Sequence, residues 1–229
     1  MLALLYDIHG NLPALDAVLA DARERGAQQF VLGGDYALFG AWPGETVTRL
    51  RTLEAAWIRG NGERWTASPG DAPDDPVVQG AIVDCAEALG AATVDELAAL
   101  PEELVYGHDR YCHGSPVSDV RSFMPEPGDD EAELLESVRE PRLVFGHTHL
   151  PFRRVSAHGG IELINPGSVG MPFDGDTRAA YAMVADDRRV EHRRVTYDHA
   201  ASAAAVRARG GEWSETIARR IEQASIDPA

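Results

Sequence analysis

The sequence has few cysteines, few basic residues and no long apolar segment. Its two cysteines, Cys85 and Cys112, lie far apart, so they form neither a zinc-ribbon pattern nor a disulfide framework. No apolar run approaches the roughly 20 residues that span a bilayer, and no basic leader precedes the first apolar segment. These absences predict a cytoplasmic protein that does not contact a membrane.

The charge balance is strongly acidic. Against 37 Asp and Glu residues stand 21 Lys and Arg residues, which gives a net charge of −16. Such a chain is repelled by nucleic-acid backbones and anionic lipids, so we expect no bulk nucleic-acid binding. A small anionic substrate can still bind at a local cationic site. With 229 residues, of which 44% are hydrophobic, the chain can bury a core, and we expect one domain over residues 1–229.

Potential metal ligands lie two residues apart at two distant positions. Asp7 and His9 follow one short apolar run, and His147 and His149 follow another. Such runs are typical of buried strands in α/β proteins, and residues i and i+2 of a strand point to the same side. Carboxylate oxygen and imidazole nitrogen together suit divalent first-row metals such as Mn, Fe, Ni or Zn.

Three further polar residues occur in the same setting. Asp35, Asn61 and His113 each follow a short apolar run and lie beside glycine. Glycine there is expected where the backbone turns tightly and leaves room for a ligand. Because open α/β sheets bind ligands at the carboxyl ends of their strands, the five segments are expected to converge.

Each motif alone has an ordinary structural explanation. Asp7 suits a helix cap, Asp35 a turn, and Asn61 with Gly62 a hairpin turn. A structural explanation of all five requires five coincidences in one order at strand ends, so the combined pattern favours a metal site. The remaining histidines lack this setting, and we expect solvated or turn roles for His108, His158, His192 and His199.

The ordered set of motifs resembles the calcineurin-like metallophosphoesterase superfamily, and its small bacterial phosphodiesterase-type branch in particular. The similarity runs from residue 1 to about residue 170 and includes the turn Asn165-Pro166-Gly167-Ser168. It implies an α/β fold in which two mixed β-sheets pack face to face with helices on the outside.

The same resemblance implies two divalent metal ions and seven ligands. One metal would be held by Asp7, His9, Asp35 and His149. The other would be held by Asp35, Asn61, His113 and His147. Asp35 would bridge the ions, and Asp35, Asn61 and His113 would be the catalytic residues; no substrate-binding residue is identified.

This ligand set suits a phosphate ester. Only Asp7 and Asp35 are anionic, since histidine binds metal as neutral imidazole, so the two ions and their ligands carry about two positive charges. Two metals roughly 3.5–4 Å apart can hold a bridging hydroxide and two phosphoryl oxygens. We therefore expect hydrolysis by in-line attack of that hydroxide.

Two departures from the family pattern narrow the expected class of substrate. Many members carry a histidine directly after the Gly-Asn motif, and this chain has Gly62 there. Losing a general acid typically costs about 10²–10⁴ in rate for a poor leaving group. The phosphoprotein phosphatase branch carries an arginine where Phe39 stands. These differences favour phosphodiesters over phosphoproteins, with His108, Glu63 and Arg64 as possible substitutes for the missing group.

Three alternatives remain open. A nucleotide pyrophosphohydrolase or a phosphomonoesterase could use the same site. The former needs aromatic side chains that recognise a base, for which the candidates are Trp42, Trp65, Tyr36 and Phe123. A relative in the superfamily is a protein-binding scaffold of the retromer complex with an impaired metal site. Retention of all seven ligands here disfavours a scaffold.

Hydrophobic periodicity predicts alternating strands and helices in the first half and a more antiparallel second half. Helices are predicted over residues 77–89 and 93–100, the latter opened by Thr93 and Glu96, near residues 130–138, and over residues 199–224. A further helical stripe runs through Val47, Leu50, Leu53 and Trp57. Helical and loop insertions are expected at about 64–105 and 115–138, and the helices of the first are expected to overhang the site.

Overall fold

Two mixed five-stranded sheets form the centre of the computed structural model, which describes residues 1–228. The first sheet contains, in spatial order, β10 (Val190–Val195), β9 (Ala179–Val184), β1 (Leu2–Leu5), β2 (Gln29–Leu32) and β3 (Ala55–Trp57). The second contains β4 (Glu103–Tyr106), β5 (Asp109–Cys112), β6 (Arg142–Val144), β8 (Glu162–Asn165) and β7 (Phe152–Val155). Strands β1, β2 and β3 are parallel, as are β5, β6 and β8, and the other pairings are antiparallel.

The side chains of β1 alternate between two apolar layers. Leu4 packs with Tyr111 and Val144 of the second sheet, whereas Ala3 and Leu5 pack against helices. This alternation buries both faces of a short apolar strand. The two sheets therefore pack face to face, as predicted.

Eight α-helices within residues 1–228 lie outside the sheets. They are α1 (Leu12–Glu24), α2 (Pro43–Leu50), α3 (Asn61–Ala67), α4 (Pro76–Leu89), α5 (Ala91–Ala98), α6 (Glu131–Leu134), α7 (His199–Arg209) and α8 (Glu212–Gln223). Leu15 of α1, Ile82 of α4 and Ile217 of α8 pack on the first sheet. Leu134 of α6 and Phe123 pack on the outer face of the second. The predicted fold class is confirmed.

Helices α4 and α5 lie between Asn61 and β4. The Asp75 carboxylate begins α4 by accepting hydrogen bonds from the backbone N–H groups of Val77 and Val78, as an N-cap does. The prediction that Thr93 opens the next helix is wrong, because α5 begins earlier, after Gly90. No single helix among the described residues is long and apolar enough to cross a membrane, and α4 and α5 pass that test only together, across a 110° bend.

Three other local predictions are wrong. Trp57 lies in β3 and not in a helix, since α2 ends at Leu50. The predicted C-terminal helix is broken into α7 and α8 at Gly210 and Gly211, whose φ angles of 81° and 83° are left-handed and cannot continue a right-handed helix. Near residue 130 only the single turn of α6 is helical.

Candidate metal centre

The seven candidate ligands lie in five segments at the carboxyl ends of parallel strands. These segments follow β1 (Asp7, His9), β2 (Asp35), β3 (Asn61, the first residue of α3), β5 (His113) and β6 (His147, His149). Strands β1, β2 and β3 belong to one sheet and β5 and β6 to the other. The two sheets therefore bring residues 140 positions apart to one edge of the molecule, where open α/β folds bind ligands.

A first compact group consists of Asp7, His9 and His149, all buried, whose ligand atoms lie within 4.8 Å of one another. The Nε2 atoms of His9 and His149 are 3.1 Å apart. Asp7 Oδ1 lies 3.5 Å from His149 Nε2, and Asp35 Oδ2 lies 3.8 Å from His9 Nε2.

A second compact group consists of Asp7, Asp35 and His113, also buried. His113 Nε2 lies 3.5 Å from Asp35 Oδ1 and 3.8 Å from Asp7 Oδ1, and 3.0 Å from Asn61 Oδ1. Asp35 directs one oxygen towards each group, while Asp7 presents a single oxygen to both. The two carboxylates thus lie between two sets of neutral donors.

The His147 imidazole lies beside the second group and outside both compact groups. Its ring centroid is 5.4 Å from that of His113, in an edge-on arrangement. Its backbone N–H donates a hydrogen bond to Asp7 Oδ2 at 3.1 Å. His147 therefore contributes to the site through its backbone as well as its side chain.

Three imidazoles are oriented by backbone carbonyl oxygens. The Nδ1 distances are 2.9 Å from His9 to Leu38 O, 2.8 Å from His113 to Gly33 O and 2.6 Å from His149 to Met171 O. A carbonyl oxygen only accepts, so each Nδ1 carries the hydrogen, and in its neutral form each ring presents a bare Nε2 to the site. Histidine ligands of metals are typically held in this way.

The bare nitrogens are arranged as ligands of a cation. Two nitrogens bound about 2.1 Å from one ion lie roughly 3.0–3.4 Å apart in tetrahedral or octahedral geometry, and the Nε2 atoms of His9 and His149 are 3.1 Å apart. Two acceptor atoms this close repel each other unless a cation lies between them. The donor set therefore fits divalent metal ions.

The backbone of the site is conformationally strained. Eight non-glycine residues among those described have left-handed φ, and five are candidate ligands: Asp7 (52°), His9 (49°), Asp35 (55°), His147 (67°) and His149 (58°). Such a conformation costs roughly 1–3 kcal/mol per residue and persists only where the surrounding structure enforces it. Five of the eight such residues are candidate ligands, so the surrounding structure enforces the placement of these side chains.

Glu63 is a residue of the site whose role the sequence does not reveal. Its buried carboxylate accepts hydrogen bonds from three backbone N–H groups, at 2.9 Å from Asp35, 2.8 Å from Gly60 and 2.8 Å from Tyr36. Burial and the neighbouring Asp35 raise the pKa of Glu63 to about 7. This carboxylate joins the loops that carry Asp35 and Asn61.

Position 62 has no room for a side chain because the Asp35 carboxylate lies close to it. Its N–H donates to Asp35 Oδ1 at 2.7 Å, and a Cβ atom there would lie 2.9 Å from the same oxygen. The φ angle of Gly62 is not positive. Space, and not backbone conformation, therefore excludes a side chain at this position.

Burial is the main cause of the pKa shifts of four groups in the site. It raises the pKa of Asp7 to about 8, lowers that of His147 to about 4 with help from His113, and lowers those of His9 and His149. Burial opposes the charged forms of Asp35 and His113, but their mutual attraction lowers the pKa of the former and raises that of the latter. Neutral imidazole is the form that binds metal.

Two phenyl rings flank the first group, and the sequence does not predict this arrangement. Phe173 stacks on His149 with 4.3 Å between ring centroids and 15° between planes. Phe39 lies 5.7 Å from His9, centroid to centroid. These rings restrict the orientation of the two imidazoles.

Several other candidate residues lie away from the site. His108 is exposed in the turn before β5, at the opposite end of that strand from His113, so the suggestion that it supplies a catalytic proton is wrong. Tyr36 and Phe123, considered for base recognition, are buried in the core. His192 is half-buried and its Nε2 lies 2.8 Å from Asn165 O, so the solvated or turn role expected for it is wrong.

Comparison with known proteins gives consistent matches. A family model described as the calcineurin-like phosphoesterase superfamily domain matches residues 1–188. An uncharacterized protein of Methanocaldococcus jannaschii is 31% identical over 232 residues, covering 86% of this chain and 88% of the relative. The crystal structure of a metallophosphoesterase from Sphaerobacter thermophilus is similar with a TM-score of 0.83 and 28% identity, covering 97% of this chain and 99% of that one. A hypothetical protein from Pyrococcus horikoshii shares the fold, with a TM-score of 0.81, 21% identity and coverage of 96% and 98%.

Proposed function

We propose that this chain, which belongs to the calcineurin-like phosphoesterase superfamily, is a phosphodiesterase that uses two divalent metal ions. The observation that carries the proposal is the convergence of two carboxylates and three carbonyl-oriented imidazoles at one edge of the sheets. Structural ion pairs do not require three bare imidazole nitrogens to face the same space.

The ligands divide between two positions. Asp7, His9 and His149 would hold one ion, and Asn61, His113 and His147 would hold the other, with Asp35 shared between them. When bound, the two cations supply a hydroxide at neutral pH and neutralise charge that develops on the phosphoryl group. Mn, Fe, Ni and Zn all suit these ligands.

The protein's own residues set the charge that the substrate meets. Two carboxylates against two dications leave about two positive charges, and the remaining ligands are neutral. This favours capture of an anionic phosphate ester. The carbonyl oxygens of Leu38, Gly33 and Met171 keep the imidazoles in the tautomer that binds metal, so these groups need no reorganisation when the substrate arrives.

The preference for diesters follows from the lack of a proton donor around Asn61. Gly62 has no side chain, and its N–H is already bonded to Asp35. Glu63 is held by three backbone N–H groups, and Arg64 is ion-paired with Asp119. A site in which these groups cannot protonate a leaving oxygen favours esters with good leaving groups.

A panel assay tests the proposal. Protein reconstituted with Mn²⁺ or Zn²⁺ is assayed against aryl and alkyl monoesters, diesters and pyrophosphates. We expect aryl diesters to give the highest kcat/KM, chelator to abolish turnover, and His147→Ala to abolish it without loss of folding. The matched control is His158→Ala, which removes an exposed histidine and should change nothing.

Each of the other possible results has a different interpretation. Undiminished turnover in folded His147→Ala would indicate a contaminating enzyme. Metal-loaded protein without turnover of any ester would favour the scaffold. A preference for alkyl monoesters would contradict the argument from Gly62.

A further inference from the structure

A polar cavity opens beside the second group of candidate ligands. Its volume is about 360 Å³, and His113 forms part of its wall. The rest of the wall comes from α3, from the loop after His113 and from the segments beside β3 and β4. Its charged residues are Arg59, Arg64, Glu102, Glu103 and Asp119, and Ser115 and Ser118 add hydroxyl groups. A group attached to a phosphate held at the metal centre can therefore extend into this cavity.

Arg64 and Asp119 form a fixed pair in the cavity wall. The Arg64 Nε and Nη2 atoms each donate to the Asp119 carboxylate at 2.7 Å, and both side chains are largely buried, with 25% and 18% exposed. The third nitrogen, Nη1, forms a longer ion pair with Asp71 at 3.6 Å. A guanidinium carries five N–H donors, so Arg64 still has N–H groups that are not bonded to Asp119, and it is held in a fixed orientation.

The loop that carries Asp119 is held against the metal centre. Ser115 and Ser118 exchange backbone hydrogen bonds of 2.8 and 3.2 Å. The Ser122 hydroxyl donates to Gly146 O at 3.2 Å, directly before His147. The cavity wall is therefore connected to the site and preformed.

The charges of the wall select the kind of group that can bind. Two guanidinium groups stand against three carboxylates, so the wall carries about one negative charge. A second anionic group would be repelled. A hydroxyl group both donates and accepts hydrogen bonds, so it can donate to a carboxylate and accept from Arg64 in the same wall.

We infer that this cavity binds the ester arm of the substrate that is not the leaving group, and that this arm is a neutral polyol or sugar. Arg64 recognises its hydroxyl oxygens, and Asp119 is a positioning residue that fixes Arg64. The inference rests on the proposed phosphodiesterase function and names the substrate class for it.

The test compares three diesters that share a 4-nitrophenyl leaving group. Their second arms are methyl, 2,3-dihydroxypropyl and carboxymethyl. With Mn²⁺-loaded protein we expect kcat/KM for the dihydroxypropyl diester to exceed that for the methyl diester by about 5- to 30-fold, as one or two added hydrogen bonds provide, mainly through KM. The carboxymethyl diester should be poorer than both.

Variants assign the effect to the cavity. In Arg64→Met the ratio between dihydroxypropyl and methyl diesters should fall to about one, and Arg64→Lys should restore part of it. The double variant Arg64→Met/Asp119→Leu removes both charges and should give the same result if the single variant is unstable. Arg121→Met is the matched control, since Arg121 lies in the same loop but is exposed and paired with Asp130 and Glu133; its ratio should equal that of the wild type.

A binding measurement separates this inference from the proposed function. Calorimetry compares glycerol 3-phosphate with methyl phosphate on metal-loaded protein. Tighter binding of the former, lost in Arg64→Met, supports the inference even if no diester is turned over, in which case the proposed function alone fails. Equal binding and equal kcat/KM in the wild type overturn the inference, and so does a carboxymethyl preference that Arg64→Met abolishes, because the arm would then be anionic.

Discussion

Glu63→Gln is the substitution that most directly tests how the site is held together. The Glu63 carboxylate accepts three backbone N–H groups, from Asp35 and Gly60 through Oε2 and from Tyr36 through Oε1. A glutamine side chain has the same shape but only one oxygen. Its oxygen can keep the two bonds made by Oε2, and its amide nitrogen then faces the Tyr36 N–H, so two donors meet.

The expected cost follows from that mismatch. Above the raised pKa of Glu63, about 7, the carboxylate is charged. A buried hydrogen bond to a charged group contributes about 1.5–3 kcal/mol, and an unsatisfied buried N–H costs about 1–3 kcal/mol. The lost hydrogen bond and the unsatisfied N–H are partly the same effect, so they do not add in full. We expect the free energy of unfolding to fall by about 2–4 kcal/mol. For a chain of this size this corresponds to a decrease in Tm of roughly 5–15 °C.

Metal affinity should fall as well. The hydrogen bonds that Glu63 accepts hold Asp35 and the loop before Asn61. Loss of groups that orient metal ligands typically costs about 10- to 100-fold in metal affinity. Urea denaturation of the metal-free protein measures the stability, and calorimetric titration with Mn²⁺ measures the affinity. Glu87→Gln, an identical change at an exposed position of α4, is the control. A Glu63→Gln variant that unfolds and binds Mn²⁺ like Glu87→Gln would refute the positioning role.

The segments that carry the candidate ligands could be predicted because their signals are local. Each follows a short parallel strand, and each places a polar residue beside a glycine. The break between α7 and α8 could also be predicted from the sequence, because Gly210 and Gly211 are adjacent. Two adjacent glycines disfavour one continuous helix over residues 199–224.

Other features depend on contacts that no local pattern encodes. The Glu63 carboxylate meets N–H groups 27 and 28 residues away. Phe173 stacks on His149 although β7 and β8 lie between them in the chain. Strand β4 is an edge strand and mostly exposed, so it lacks the apolar alternation by which strands are predicted. Trp57 continues a helical period by coincidence, although its backbone pairs with Leu32 in the sheet.

Three further substitutions test the metal centre and its surroundings. Asp35→Asn should weaken Mn²⁺ binding more than His149→Ala in equilibrium dialysis, because Asp35 directs one oxygen to each group of ligands. His108→Ala should leave the steady-state rate on an aryl diester within about twofold, since that side chain is exposed at the far end of β5; a large loss would mean that it reaches the site after all. Gly62→Ala should lower Mn²⁺ affinity by about 10-fold or more, because a Cβ only 2.9 Å from Asp35 Oδ1 forces that carboxylate to move. The φ angle of Gly62 is not positive, so backbone strain adds nothing to this effect, and the Tm of the metal-free variant serves as the control for folding. If Gly62→Ala binds Mn²⁺ like the wild type, Asp35 does not require the glycine, and Gly62→His becomes a fair test of whether a restored donor shifts the preference towards monoesters.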